Sequence, residues 1–151
     1  MALLALALLF FFTRSRDRRL TEPKRPERKS PVTEDELGRA LYGVIQSERF
    51  AEYRALYING GEAAQVLGEE AARDYLELRS PEVLKANLDL HIRAFRGSTG
   101  YAGFEKTVDE RFSIQIQVGN QKTRKVPIGN IVMLGAVYRL AVPANQFESN
   151  E

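Results

Sequence analysis

The chain has 151 residues, and its 22 Lys or Arg residues outnumber its 20 Asp or Glu residues only slightly. It contains no cysteine, which excludes disulfides, thiolate metal sites and thiol nucleophiles. The positive charge lies near the N-terminus, because residues 13–31 hold eight basic and three acidic residues. The 14 basic and 17 acidic residues that follow make the remainder slightly acidic, so nucleic acid is not an expected partner.

An uncharged apolar segment, Ala2 to Phe12, is followed directly by the basic residues. As a helix of ~1.5 Å per residue it reaches ~16 Å, about half of a ~30 Å hydrocarbon core. A cleavable secretory signal needs basic residues before the apolar run and a small-x-small site after it, and the sequence has neither. We therefore predict that residues 1–12 associate with a membrane. The positive-inside tendency then favours the cytoplasmic face of that membrane for the remainder of the chain.

Two other interpretations of this apolar segment stay open. A start codon upstream of Met1 would make the segment the end of a longer signal or anchor helix. A buried core helix is the other interpretation, but it requires polar positions at a spacing of 3.6 residues, and the segment has none.

Residues 13–31 are predicted to form an extended linker. Pro23, Pro26 and Pro31 interrupt any helix, and the stretch offers few apolar residues for burial. Basic side chains near an anionic leaflet contribute about 1 kcal/mol each, so the predicted membrane contact extends over residues 1–29. The alternative is a solvated flank with no lipid specificity.

One folded domain is predicted over residues 32–143, followed by a polar tail at 144–151. Its first helix begins at the capping box of Thr33 and Glu36. The helix has an apolar stripe of Leu37, Leu41, Val44 and Ile45. After a break at Ser47 the stripe continues through Phe50, Tyr53, Leu56 and Tyr57. It ends at the glycines 60 and 61.

Two further helices are predicted. The second spans Glu62 to Leu78, with inward positions Ala64, Leu67, Ala71, Tyr75 and Leu78. Glu69, Arg73 and Glu77 form its solvated side. The third begins with Ser80 as N-cap and Pro81 at its first position, ends near Phe95, and buries Leu84, Leu88, Ile92 and Phe95.

Strands are predicted after Gly100, where the apolar period changes to two. Residues 112–118 alternate most clearly, and Gly119-Asn120 turns them into a long strand at 123–134. Pro127 and Gly129 indicate a bulge or bend in that strand. Gly135-Ala136 leads into Val137 to Val142, and a shorter strand is expected at Tyr101 to Val108. The predicted fold is therefore α+β, with N-terminal helices packed on a bent antiparallel β-meander.

Two stretches, Ala40 to Tyr57 and Val126 to Leu140, carry a resemblance to a known superfamily. The first is an apolar helix that breaks at a short polar step before an aromatic residue. The second is a hairpin in which a glycine turn precedes an aromatic-Arg-Leu strand. Together they resemble the NTF2-like (cystatin-like) superfamily, which implies a cone of helices and sheet over about residues 33–143. Isomerases, dehydratases, binding modules and secretion-system components share that fold, so the resemblance implies no single activity.

Enzymes of that superfamily usually place Asp, His or Tyr in the pocket, so the resemblance makes the single histidine, His91, the first residue to test. His91 lies beside the apolar stripe of the third helix, where a neutral imidazole with a structural hydrogen bond is the favoured interpretation over a general base. The tyrosines that join it as ligand-pocket candidates, and that otherwise fill the core, are Tyr53, Tyr57 and Tyr138. Arg139 alternates with Tyr138 and is expected to face solvent.

No catalytic, phosphate-binding, dinucleotide or metal motif is present in the sequence, so we predict no catalytic residue, no metal and no cofactor. We expect a membrane-tethered binding or assembly module whose partner is a protein or a small apolar ligand, with a homo-oligomer left open. The alternative is a small isomerase or hydrolase that uses His91 and a pocket tyrosine on a small apolar substrate.

Overall fold

A computed structural model describes residues 30–77, 79–108 and 111–144. The predicted membrane segment, nearly all of the linker and most of the polar tail lie outside these residues. Within them, helices come first and an antiparallel sheet follows, which confirms the α+β fold of helices packed on a β-meander. No helix in this part of the chain is both long and apolar enough to cross a bilayer.

The helices are α1 (Glu34–Gln46), α2 (Phe50–Arg54), α3 (Gly60–Leu67), α4 (Glu69–Glu77) and α5 (Pro81–Ala94). The strands are β1 (Ser98–Lys106), β2 (Arg111–Val118), β3 (Lys122–Leu134) and β4 (Val137–Pro143). The first strand begins three residues earlier than predicted and ends before Val108. It starts early because only a short turn containing Gly97, at a φ of +75°, separates it from α5.

Helix α1 begins and ends as the sequence predicts. Thr33 Oγ1 accepts from the Glu36 N–H at 3.1 Å, and the Glu36 carboxylate returns to the Thr33 N–H at 3.3 Å, which is the capping box. The helix stops at Ser47, whose hydroxyl donates to the Gly43 carbonyl at 2.8 Å. Its predicted apolar stripe is buried.

The prediction of one continuous second helix is wrong, and so is the set of residues predicted to face inward. Gly68 adopts a φ of +82°, which ends α3, and α4 begins one residue later. This break resets the helical phase, so the buried positions are Ala63 and Ala72. Leu67, predicted to point inward, is 43% exposed, and Ala64 is only half-buried while Ala71 is exposed.

The four described strands form a meander in the order β1-β2-β3-β4. One face of the sheet packs against α1, α2 and α5 through a main core that includes Phe112, Ile114, Ile128 and Leu140. At the β3–β4 end a smaller cluster of Ile58, Ala63 and Ala72 packs against Val132 and Leu134. Because neighbours along a strand point to opposite faces, α3 and α4 cover the other face of the sheet there.

The outer edge of β4 is closed by the segment that follows α2. Ile58 N–H donates to the Leu140 carbonyl at 2.8 Å, and Leu140 N–H donates to the Leu56 carbonyl at 2.9 Å. Tyr57 thereby pairs with Leu140 in a parallel bridge. The pairing removes an open strand edge and positions the side chains of residues 56–58 between the sheet and the helices.

The predicted irregularity in β3 is confirmed. Phe112 pairs with Gly129 while the next residue, Ser113, pairs with Pro127, so Ile128 is the extra residue of a β-bulge. A second register shift separates the pairs of Gly129 and Ile131 with β4. Gly129 has a φ of +144°, and a Cβ at this position would overlap the carbonyl oxygen of Val142.

Replacing Gly129 by alanine should therefore lower the free energy of unfolding by about 2 to 6 kcal/mol. Backbone strain contributes about 1 to 3 kcal/mol, and the overlap with β4 contributes a similar amount. The matched control is Gly103→Ala, because Gly103 has a φ of +145° but no atom within 4 Å of the added Cβ. Urea denaturation of the two variants should show the larger loss for Gly129→Ala, and equal losses would contradict the close approach of β3 to β4.

Candidate functional site

A cluster of four polar side chains is buried where α2 and α5 meet the sheet. Tyr53 lies on α2, Tyr57 follows that helix, and Asn87 and His91 lie on α5. Each pair is four residues apart in sequence, and on α5 this spacing places Asn87 and His91 on one face. All four residues are at most 3% exposed.

The side chains of this polar cluster are joined by hydrogen bonds. The hydroxyls of Tyr53 and Tyr57 are 3.0 Å apart, and Asn87 Nδ2 lies 2.7 Å from the first and 3.2 Å from the second. The Tyr53 hydroxyl is also 3.2 Å from His91 Nδ1. His91 Nε2 is 3.0 Å from the carbonyl oxygen of Pro127, the residue beside the β3 bulge.

The partners determine the direction of every one of these bonds. A carbonyl only accepts, so His91 Nε2 carries the hydrogen and donates it to Pro127. In the neutral ring Nδ1 is then the acceptor, and the Tyr53 hydroxyl donates to it. Asn87 Nδ2 donates to both tyrosine oxygens, which leaves the Tyr57 hydroxyl to donate to Tyr53. Both nitrogens of His91 are therefore engaged.

Burial keeps the titratable members of the cluster uncharged near neutral pH. It lowers the pKa of His91 to about 4, against the opposing effect of the bond to the Pro127 carbonyl. Burial also raises the pKa of the Tyr53 hydroxyl and that of the Tyr57 hydroxyl above their ordinary values. A general base for neutral pH needs a pKa near 7, so the arrangement favours a structural histidine.

The structure brings together three of the four ligand-pocket candidates. Tyr53, Tyr57 and His91 belong to the polar cluster, whereas Tyr138 lies on β4, half-buried, with its N–H donating to the Pro31 carbonyl at 2.9 Å. Sequence reasoning missed Asn87. Its position four residues before His91 was the available signal, because that spacing places a polar residue on the same buried face.

An open cleft of about 560 Å³ lies beside the polar cluster. It is bounded by α2, the start of α3, the end of α4, the start of α5 and β4, and Tyr57 is among the residues that line it. The same tyrosine thus belongs both to the closed hydrogen-bond cluster and to the wall of an open cleft.

Charged residues line the cleft, and the expectation that Arg139 faces solvent is wrong. Its side chain is only 19% exposed, and Nε lies 3.4 Å from Glu62 Oε1 on α3. Strand alternation does point Arg139 away from the main core, but α3 and α4 cover that face of the sheet. Arg54 and Arg79 also line the cleft, and Arg79 is 9% exposed.

No family model matches the chain, and comparison with curated proteins and with solved structures gives no match either. The described residues contain no group of three or more His, Asp or Glu side chains that could hold a metal ion. The site is therefore interpreted from its own geometry.

The depressed pKa of His91 makes stability depend on pH. Below about pH 6.5 the unfolded chain binds a proton at His91, whereas the folded chain does so only below about pH 4. His91 should therefore contribute full stability above pH 6.5 and lose about 3 kcal/mol of it as the pH falls to 4.

The measurement is urea denaturation of the full chain between pH 7 and pH 4, with His91→Gln as the non-titrating control. The difference between the two proteins isolates the histidine from the carboxylates. Because the chain has one histidine, its NMR titration is unambiguous, and a midpoint near pH 6.5 in the folded protein would contradict the closed polar cluster.

Proposed function

We propose that this protein is a membrane-tethered, non-catalytic binding or assembly module, and that its ligand or partner binds in the cleft beside Tyr57. The tether is the apolar segment at residues 1–12 with its basic linker, and the domain binds on the cytoplasmic side. The observation that carries the binding role is the contrast between a closed polar cluster and the adjoining open cleft of about 560 Å³.

The state of the polar cluster supports binding over catalysis. Nδ1 and Nε2 of His91 both have partners within 3.2 Å, so the ring has no free nitrogen to offer a substrate. The Tyr53 and Tyr57 hydroxyls bond to one another and to Asn87. These groups hold the wall of the cleft in place, which is the preorganisation that a ligand site requires.

The NTF2-like resemblance supports the same proposal, since binding modules are one of the roles on that fold. The second candidate function is a small isomerase or hydrolase that uses His91 and a pocket tyrosine on a small apolar substrate. It is favoured by one observation, the position of Tyr57 in both the polar cluster and the cleft wall. Turnover by the full chain that disappears on His91→Gln would establish that role.

Deleting residues 2–12 should abolish membrane association, because the segment supplies the apolar area for insertion. The measurement is flotation of the full chain with phosphatidylcholine vesicles, with and without anionic lipid. A chain that lacks residues 145–151 is the matched control and should float like the wild type. Unchanged flotation of the chain that lacks residues 2–12 would contradict the tether proposal.

Ala55→Trp should abolish ligand binding, because Ala55 lines the cleft and an indole would occupy it. A library of neutral, acidic and basic small molecules is screened against the full chain by NMR, and the expected shifts are those of Tyr57 and Arg139. Ala86→Trp is the control, since Ala86 is an exposed position of α5 outside the cleft. Binding that survives Ala55→Trp would place the ligand elsewhere.

A further inference from the structure

Arg79 is a buried cation whose Nε has no hydrogen-bonding partner among the described residues. The residue is 9% exposed, and Nε is buried with no acceptor. Arginine is rarely buried so deeply unless it is paired, because removing a charge from water is costly without compensation. Arg79 is one of the residues that line the cleft, so an anion bound in the cleft would lie beside this charge.

The surroundings of Arg79 do not neutralise it. Its Cζ lies 5.9 Å from the centre of the Tyr75 ring, a weak cation–π contact at most. Burial lowers the pKa of the Arg79 guanidinium and the positive charge of Arg54 adds to this effect, against the opposing influence of Tyr75, Glu62 and Tyr57. The direction of the shift is that of a charge with too little compensation.

The carboxylate in the cleft lining is already engaged. Glu62 Oε2 accepts from the Asn59 N–H at 2.8 Å as part of the α3 cap, while Oε1 faces Arg139 Nε at 3.4 Å. Arg54 has no ion pair within the described residues. The lining thus sets three guanidinium groups against one carboxylate, and it includes Gly60 at the positive end of α3.

The cleft also has an apolar part. Leu76 contributes to the lining and is 36% exposed, while the buried Ile58 and Leu84 lie deeper in the wall. A ligand that complements both parts carries an acidic group and an apolar body. Water alone could solvate the charged part of the cleft, but it would leave the apolar surface of Leu76 exposed to solvent, which is unfavourable.

We propose that the cleft binds an organic anion, with a carboxylate or phosphate group held by Arg79 together with Arg54 and Arg139, and an apolar body against Leu76. The proposal rests on the proposed function, since it names the ligand class for the same cleft. A guanidinium can donate two parallel hydrogen bonds to such an oxyanion, and the anion supplies the negative charge that Arg79 lacks. The anion comes either from a soluble acid or from the head group of an anionic lipid.

The test measures binding of hexanoate, hexyl phosphate and neutral hexanol to the full chain in phosphatidylcholine nanodiscs by NMR titration. We expect both anions to bind at the cleft and hexanol to bind at least about 10-fold more weakly. Arg79→Met should weaken the anions about 10- to 100-fold. A second titration, with part of the phosphatidylcholine replaced by phosphatidylglycerol, distinguishes the two sources of the anion. If the cleft takes a lipid head group, phosphatidylglycerol should compete with hexyl phosphate and weaken its binding. If the cleft takes a soluble acid, the affinity for hexyl phosphate should stay the same.

Stability separates this role from a structural one. A structural Arg79 would lower the urea midpoint when it is replaced, whereas removal of a poorly compensated buried charge by Arg79→Met should leave the midpoint unchanged or raise it. Arg73→Met is the control, because Arg73 lies exposed on α4 outside the cleft, and it should change neither property.

Equal affinity for hexanol and hexanoate, or anion binding that survives Arg79→Met, overturns the anion proposal. If Ala55→Trp still blocks hexanol in that case, the proposed function stands and only the ligand class is wrong. If none of the three probes changes the spectrum of the wild type or of Ala55→Trp, both proposals fail.

Discussion

The hydrogen bonds that run from Tyr57 through Tyr53 and His91 to the Pro127 carbonyl hold the helical layer in register with the sheet. They join α2, α5 and the bulge of β3, which are far apart in the chain. Each buried polar group costs about 1 to 3 kcal/mol when it loses its partner, so a shift of α5 along the sheet would break several bonds together. Apolar packing alone tolerates such slippage more easily.

The short segment after α2 connects this cluster to the cleft. Its backbone pairs with Leu140 on the edge of β4, and its side chain Tyr57 ends the hydrogen-bond chain. The polar groups of the cleft differ from those of the cluster, since the buried Arg79 has no partner for Nε within the part of the chain that the structure describes. The polar cluster satisfies its own hydrogen bonds, whereas the cleft has donors in excess, and the proposed binding role of the cleft rests on this difference.

Much of the fold could be predicted from local patterns. The capping box at Thr33, the proline at the start of α5 and the alternation in β2 each reflect interactions within one turn or one strand, so tertiary packing did not alter them. The bulge beside Pro127 was predictable for the same reason. The continuity of the second helix was not, because the positive φ of Gly68 interrupts a pattern that looks helical on both sides.

The candidate site shows where local reasoning ends. Tyr53, Tyr57 and His91 were candidates by residue type, and Arg139 was correctly placed on the face opposite Leu140. The sequence by itself thus determined the first and last helices with their buried stripes, the strands, and the basic, apolar N-terminal end. Only the tertiary structure decided that α3 and α4 cover the second face of the sheet, and that Arg54, Arg79 and Arg139 meet in one cleft. Arg54 and Arg79 are 25 positions apart in the sequence, and Arg79 and Arg139 are 60 positions apart. No interaction within a single helix or strand brings them together.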